Sequence, residues 1–399
     1  MAVVRYLCLL TLALAPSFSY AANLYASTYD GTVNLLTFDE KSHALSLTQS
    51  LKACGSMPSW LTWDSANRKL YCTDEDFYSS TASISSLSAA SDMRLSVDAK
   101  ATTPSGGVAN TLYGGSDGKS YIAIAHYQSS KVSTFALPLK SSSKPLQELT
   151  FAMSAPGPNS ARQDASHPHE VLTDPTGSFL LAPDLGADLI RIWSISRNTG
   201  ALTSCPSLKV TPGTGPRHAA FWSPTPRRAK NGAAAPTNLK LFVANELSNI
   251  ISSFSVTYPS SGCLSFKKMQ ELSPFPSNAP APSGTKVGEI HVKGNYLYTT
   301  NRADGTFSGN DSVATWKLSS KGVMRFAGLT EAGGTYPRTF AINAAGTFVA
   351  VGDQTTANVA IFARDPGTGE LGEKVASLRV GDIGHAESED GLSSVIWAK

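Results

Sequence analysis

The chain has 399 residues, a formal charge of +3 and only 16% charged side chains. Its 41% hydrophobic content excludes a disordered chain, and the small net charge leaves no basic field for nucleic acid. With 32 Gly and 23 Pro it is neither collagen-like nor a linker, and its length alone suits two or three domains.

The first element in chain order is a leader. Arg5 supplies a positive start, 7–15 is apolar apart from Cys8 and Thr11, and Ser19-Tyr20-Ala21 is a small-x-small site. This pattern predicts a secretory signal over 1–21, cut after Ala21, and a secreted, extracellular protein. The apolar run is too short to span a bilayer, so no membrane partner is expected once it is removed. Residues 22–399 then form one domain, expected to be monomeric.

That domain repeats itself. A short β-run, a polar step, a small loop and a second β-run ending in an aromatic recur seven times. The copies begin at Leu24, Leu70, Tyr121, Phe179, Leu241, Leu297 and Phe348. The step residues are Thr28, Asp74, Ala125, Pro183, Asn245, Asn301 and Gly352, spaced by roughly fifty to sixty residues, a length that suits a four-stranded blade. Leading strands start near His169, Arg217, Glu289 and Arg338, and fourth strands follow Gly-containing turns. Helical periodicity is almost absent. The expectation is all-β: a seven-bladed β-propeller of four-stranded blades. The first copy lacks a leading strand, and the tail ending at Trp397 can supply it, so that N- and C-terminal strands share a blade and close the ring. The segment 224–236 interrupts a hairpin as a surface insertion, with Arg227, Arg228 and Lys230 read as a solvated cluster.

Without the leader's Cys8, four cysteines remain: Cys54, Cys72, Cys205 and Cys263. Three pairings are open, and proximity in the chain favours Cys54–Cys72 with Cys205–Cys263. Asn310-Asp311-Ser312 is one N-glycosylation acceptor.

In a blade, the start of strand one and the end of strand two meet at the same mouth of the central channel. Past the step residues stand Tyr29, Glu75, His126, Asp184, Glu246, Arg302 and Asp353; at the start of strand one stand His169, Arg217, His218, Glu289 and Arg338. Solvated strand ends account for part of this, Glu75 and Asp353 above all. Arg217, Arg302 and Arg338 suit two-point binding of a carboxylate, and His169 and Glu246 can exchange protons if their pKa values are shifted. No Ser elbow, catalytic Cys, HExxH, P-loop or dinucleotide fingerprint is present. Interleaved Arg and His argue against a metal at the acidic positions, and no cofactor is expected.

The segments HPHEVLTDPTGSFLLAPDLGADLIRIW (167–193), GPRH (215–218) with ANELSNIISSF (244–254), GEIHV with TTNR (288–302), and PRTFAI with GDQTTANVAIF (337–362) resemble, in order and spacing, the lactonase-type seven-bladed propellers. That family includes bacterial-type 6-phosphogluconolactonase and fungal carboxy-cis,cis-muconate cyclase. The resemblance implies a metal-independent enzyme that makes or opens a lactone on a small carboxylate-bearing molecule. It carries His169 and Glu246 over as acid/base residues. Arg217, His218, Glu289, Arg302 and Arg338 become substrate-binding residues. The early blades depart from the pattern, with Pro58-Ser-Trp60 and Gly107-Val108 in place of the His and Arg steps. The competing reading is a non-catalytic secreted propeller, which expects a plugged mouth or arginines paired with acids. A WD-type scaffold fits only Asp188 to Trp193 and lacks the Gly-His signature.

Overall fold

The computed structural model describes residues 21–225, 235–260 and 262–398. The expected leader except Ala21, and the Arg227, Arg228 and Lys230 cluster, lie outside the described residues.

Seven antiparallel four-stranded sheets are arranged as blades, and the described residues hold one short 3-10 turn, Pro276–Asn278. The inner strands are Leu392–Ala398, Pro58–Asp64, Gly107–Tyr113, Leu172–Thr173, Pro216–Trp222, Lys286–Lys293 and Pro337–Ile342, for blades 1 to 7. The ring closes as expected. Leu392–Ala398 pairs with Ala21–Thr28, so the two ends of the chain build blade 1 together.

Alternation along each strand explains the packing. Strand side chains point to opposite faces, and each blade is covered on both faces by its neighbours. Leu24 therefore joins Phe38, Ile361 and Trp397 on the blade 7 side, while Tyr25 joins Val33 and Leu70 on the blade 2 side. Seven apolar clusters result, one in each gap between adjacent blades. A buried Leu or Phe contributes about 1.5–3 kcal/mol, whereas an exposed pair such as Lys52–Asp30 contributes ~0–1 kcal/mol. The apolar gaps hold the ring. Two disulfides add to them. Cys54–Cys72 ties blade 1 to blade 2 and Cys205–Cys263 ties blade 4 to blade 5, each with a Cα–Cα separation of 5.8 Å.

Two details position the site. First, the inner strand of every blade carries one extra residue near its start. Register slips there in all seven: at Ser393, Ser59, Val108, Arg217, Gly288 and Arg338, and between Pro168 and Leu172 in blade 4, where His169 stands. Such a bulge bends the strand and re-aims a side chain. Second, in blades 2 to 7 a polar residue at or next to the end of the second strand is structural. Asp74 bonds Ser83, His126 bonds Ser133, Asp184 bonds Arg191, Asn245 bonds Ser252, Asn301 bonds Ser312 and Asp353 bonds Asn358. Each locks its strand to the third strand of the same blade.

This corrects the expected mouth residues in three blades. His126, Asp184 and Asp353 are these buried locking residues. Because the side-chain period is two, a one-residue slip in phase exchanges one face for the other. The residues that follow, Tyr127 and Gln354 among them, line the mouth instead. Asn310 lies between the second and third strands of blade 6, and its amide donates to Glu331 Oε2 at 3.4 Å.

Candidate active site at the channel mouth

A cavity of about 390 Å³ opens at the mouth where the bulges and second-strand ends meet. His169, Glu246, Arg302 and Arg338 line it, together with Glu75, Tyr127, Arg162, Lys286 and Tyr336. The mouth is open, against the plugged form of the non-catalytic reading, while that reading's other expectation, arginines paired with an acid, is met at Glu246.

Glu246 is the hub. Arg302 Nη2 donates to its Oε2 at 2.6 Å and Arg162 Nη2 to its Oε1 at 2.7 Å. Arg217 Nε lies 2.9 Å from Oε2 but off the line of a hydrogen bond, and its Nη1 donates to Gly288 O at 2.9 Å. Burial alone would raise the Glu246 pKa; Arg302, Arg162 and Arg217 outweigh it and hold the carboxyl well below its usual range. Glu246 therefore stays ionised, unlike the proton carrier expected from its position. Arg217 and Arg302, expected to clamp a substrate carboxylate, are turned onto Glu246. A buried carboxylate is stable only when paired and hydrogen-bonded, and these arginines satisfy it. Burial and Arg302 lower Arg217 to about 9, which leaves it charged at neutral pH.

Below this hub runs a chain of three side chains. Glu289 Oε1 lies 2.9 Å from His218 Nδ1, and His218 Nε2 lies 3.3 Å from His169 Nδ1. Burial pulls His218 down to about 4 even beside Glu289. Burial opposes ionisation of Glu289, but His218 outweighs it and brings the carboxyl to about 2. Burial, helped by Arg217 and His218, holds His169 well below its usual value. Both imidazoles are thus neutral. A carboxylate only accepts, so His218 Nδ1 carries a proton and its Nε2 accepts one from His169 Nδ1. His169 Nε2 keeps its lone pair, on a ring that lines the cavity. His218 and Glu289, expected to touch substrate, lie one position deeper and orient His169 instead.

Trp60 packs against the buried His218. It reaches from blade 2 to His218 on blade 5, with ring centroids 5.3 Å apart. Trp60 also lines a second cavity of about 420 Å³, together with Glu170, Asn110 and Trp63.

Arg338 differs from the other arginines. Its nearest carboxylate oxygen among the described residues is Glu75 Oε2 at 3.9 Å, and its guanidinium stands over the Tyr29 ring at 5.4 Å from the centroid. It is the cavity arginine with charge to spare. Lys286 pairs with Glu387, which also accepts from Tyr336 Oη at 2.5 Å. No group of three metal-ligating side chains occurs among the described residues.

A family model described as "Lactonase, 7-bladed beta-propeller" matches residues 23–386. The chain belongs to the seven-bladed β-propeller lactonase family. Lactonase-family relatives include the "Probable 6-phosphogluconolactonase" of Arthroderma benhamiae, 28% identical over 93% of this chain and 90% of that protein. The 6-phosphogluconolactonase of Bacillus subtilis is 28% identical over 64% of this chain and 66% of its own length. Among solved structures, the periplasmic gluconolactonase of Pseudomonas aeruginosa superposes with a TM-score of 0.73, covering 92% of this chain and 98% of that one, at 23% identity. That likeness shows the shared lactonase fold.

Sequence reasoning missed Arg162 and discounted Glu75. Arg162 sits in the long segment between blades 3 and 4, where no strand periodicity marks it. Glu75 was placed at the mouth, directly after Asp74 as Glu246 follows Asn245, but was set aside as a solvated strand end.

Proposed function

We propose that the protein is a secreted lactone hydrolase that opens a small polar lactone in the mouth cavity, with His169 as general base. The observation that carries this reading is the Glu289–His218–His169 chain. It fixes one tautomer and leaves a neutral acceptor nitrogen on the ring that lines an open cavity.

In the forward direction His169 Nε2 takes a proton from water, and the water oxygen attacks the lactone carbonyl carbon. Arg338 meets the charge that grows on the carbonyl oxygen, where a preorganised cation is worth most. The ring C–O bond then breaks to give the hydroxy acid. Glu246 serves by holding Arg162, Arg217 and Arg302 in one frame. Run in the other direction, the same groups would close a lactone from a hydroxy acid with loss of water. The muconate-type closure is a different reaction, in which a carboxylate oxygen adds to a carbon–carbon double bond and the adjacent carbon takes a proton from an acid such as a protonated His169.

The test is hydrolysis by the purified protein of a panel of sugar lactones, phosphorylated and not, with unsaturated dicarboxylates included. His169→Ala is expected to lower kcat at least 100-fold with little change in KM. Unchanged kcat in that variant would remove His169 from the mechanism, and no turnover of any lactone would overturn the reading. The apolar leader and the two disulfides support secretion. Amino-terminal sequencing of protein from culture medium should read from Ala22; retention of the leader inside cells would contradict it.

A further inference from the structure

The mechanism above leaves one buried carboxyl of the cavity unused. Glu75 lies at the end of the second strand of blade 2, is 8% exposed and lines the cavity with His169. We propose that Glu75 is the general acid of the reaction, donating its proton to the ring oxygen as that oxygen leaves the carbonyl carbon. The inference rests on the lactone-hydrolase reading and adds the second proton-transfer group that reading needs.

The two cavity glutamates are held differently. Glu246 has guanidinium nitrogens at 2.6, 2.7 and 2.9 Å. Glu75 has one cation, Arg338 at 3.9 Å, beyond the 2.7–2.9 Å of a charge-assisted hydrogen bond. Its one side-chain hydrogen bond comes from Tyr29 Oη at 3.2 Å. A carboxyl removed from water without a fitted cation favours its neutral form. The groups facing it are Tyr29 from blade 1, Arg338 from blade 7, Arg217 from blade 5 and Glu389 from the segment before the closing strand. Burial pushes Glu75 up to about 7; Arg338 opposes this and Glu389 reinforces it. At neutral pH a proton is available to give.

The arrangement also suits the geometry of ring opening. Arg338, assigned to the carbonyl oxygen, is the cation beside Glu75, so the acid stands next to the bond that breaks. As the C–O bond breaks, its electron pair goes to the ring oxygen, which takes the Glu75 proton and becomes a hydroxyl. His169 then carries the proton from water and Glu75 carries none. Proton return through water restores both, and the sum is lactone plus water to hydroxy acid.

The experiment compares two lactones with leaving oxygens of different basicity. A sugar δ-lactone releases an alkoxide, which needs a proton; a phenol-derived lactone such as dihydrocoumarin releases a phenolate, which does not. Glu75→Gln is expected to lower kcat about 100-fold on the sugar lactone but less than about 5-fold on dihydrocoumarin. With the sugar lactone, wild-type kcat should fall as pH rises through about 7, because the acid form is lost there, and Glu75→Gln should lack this limb. Equal losses on both substrates, or a limb that survives the substitution, would overturn the inference and leave the hydrolase standing. If the wild-type protein opens neither lactone, the hydrolase reading falls and the inference falls with it.

Discussion

Glu75 and Glu246 occupy equivalent places on two blades, and their surroundings move their pKa values in opposite directions. Their consequences for stability are opposite too. Glu75 sits near 7 when folded against 4.5 when free, so the folded state binds its proton more tightly. Its contribution is full below pH 4.5 and is lost as pH rises through about 7. Glu75→Gln should therefore match the wild type in urea unfolding at pH 5 and exceed it by about 3 kcal/mol at pH 8. Parallel pH profiles would contradict this. Glu246 is depressed, so its contribution is present above the usual carboxylate range and is lost only as pH falls through its low folded value. Glu246→Gln leaves three arginines without their anion and should cost about 3–5 kcal/mol at pH 7, read from the urea midpoint.

At the scale of the strand, the repeated bulge builds the site. Each blade contributes one extra residue at the mouth, and the fold tolerates His169, Arg217, Arg338, Val108 or Gly288 there. Gly288 has a specific reason to be small. A Cβ at that position would meet Thr300 Oγ1 at 2.6 Å, Pro337 O at 3.1 Å and Arg302 Nε at 3.2 Å. Gly288→Ala is expected to displace Arg302 from Glu246 and to lower kcat/KM at least 10-fold, with a stability loss of about 1–3 kcal/mol. A full-activity Gly288→Ala would show that Arg302 is free to move. The same scale explains what could be read beforehand. Seven copies and the shared blade were legible because hydrophobic runs and turns recur along the chain. His169, Arg217, Glu246, Arg302 and Arg338 were legible because they stand next to strand ends. The phase at His126, Asp184 and Asp353 was not, because a polar locking residue and a polar mouth residue look alike one position apart. Arg162 was not legible because its position depends on how a loop folds over the mouth, which no local pattern encodes.

The whole molecule is held by contacts between neighbouring blades, so its weakest gap sets its resistance to opening. Trp397 fills the gap between blades 7 and 1, and its indole nitrogen donates to Ala341 O at 2.9 Å. Trp397→Ala should cost about 3–5 kcal/mol, measured by chemical unfolding. The Cys205–Cys263 bridge closes 58 residues against 18 for Cys54–Cys72. On the chain-entropy account its removal as Cys205→Ser with Cys263→Ser costs about 1 kcal/mol more than removal of the shorter bridge. The shared blade also sets an order of events during synthesis. Ala21–Thr28 is among the first strands made, and its inner neighbour, Leu392–Ala398, is the last. At ~5–20 residues per second, translation of the chain takes about 20–80 s. For that time the earliest strand has an uncovered edge, open to mispairing with other chains. The ribosome must release the final strand before the first can be shielded.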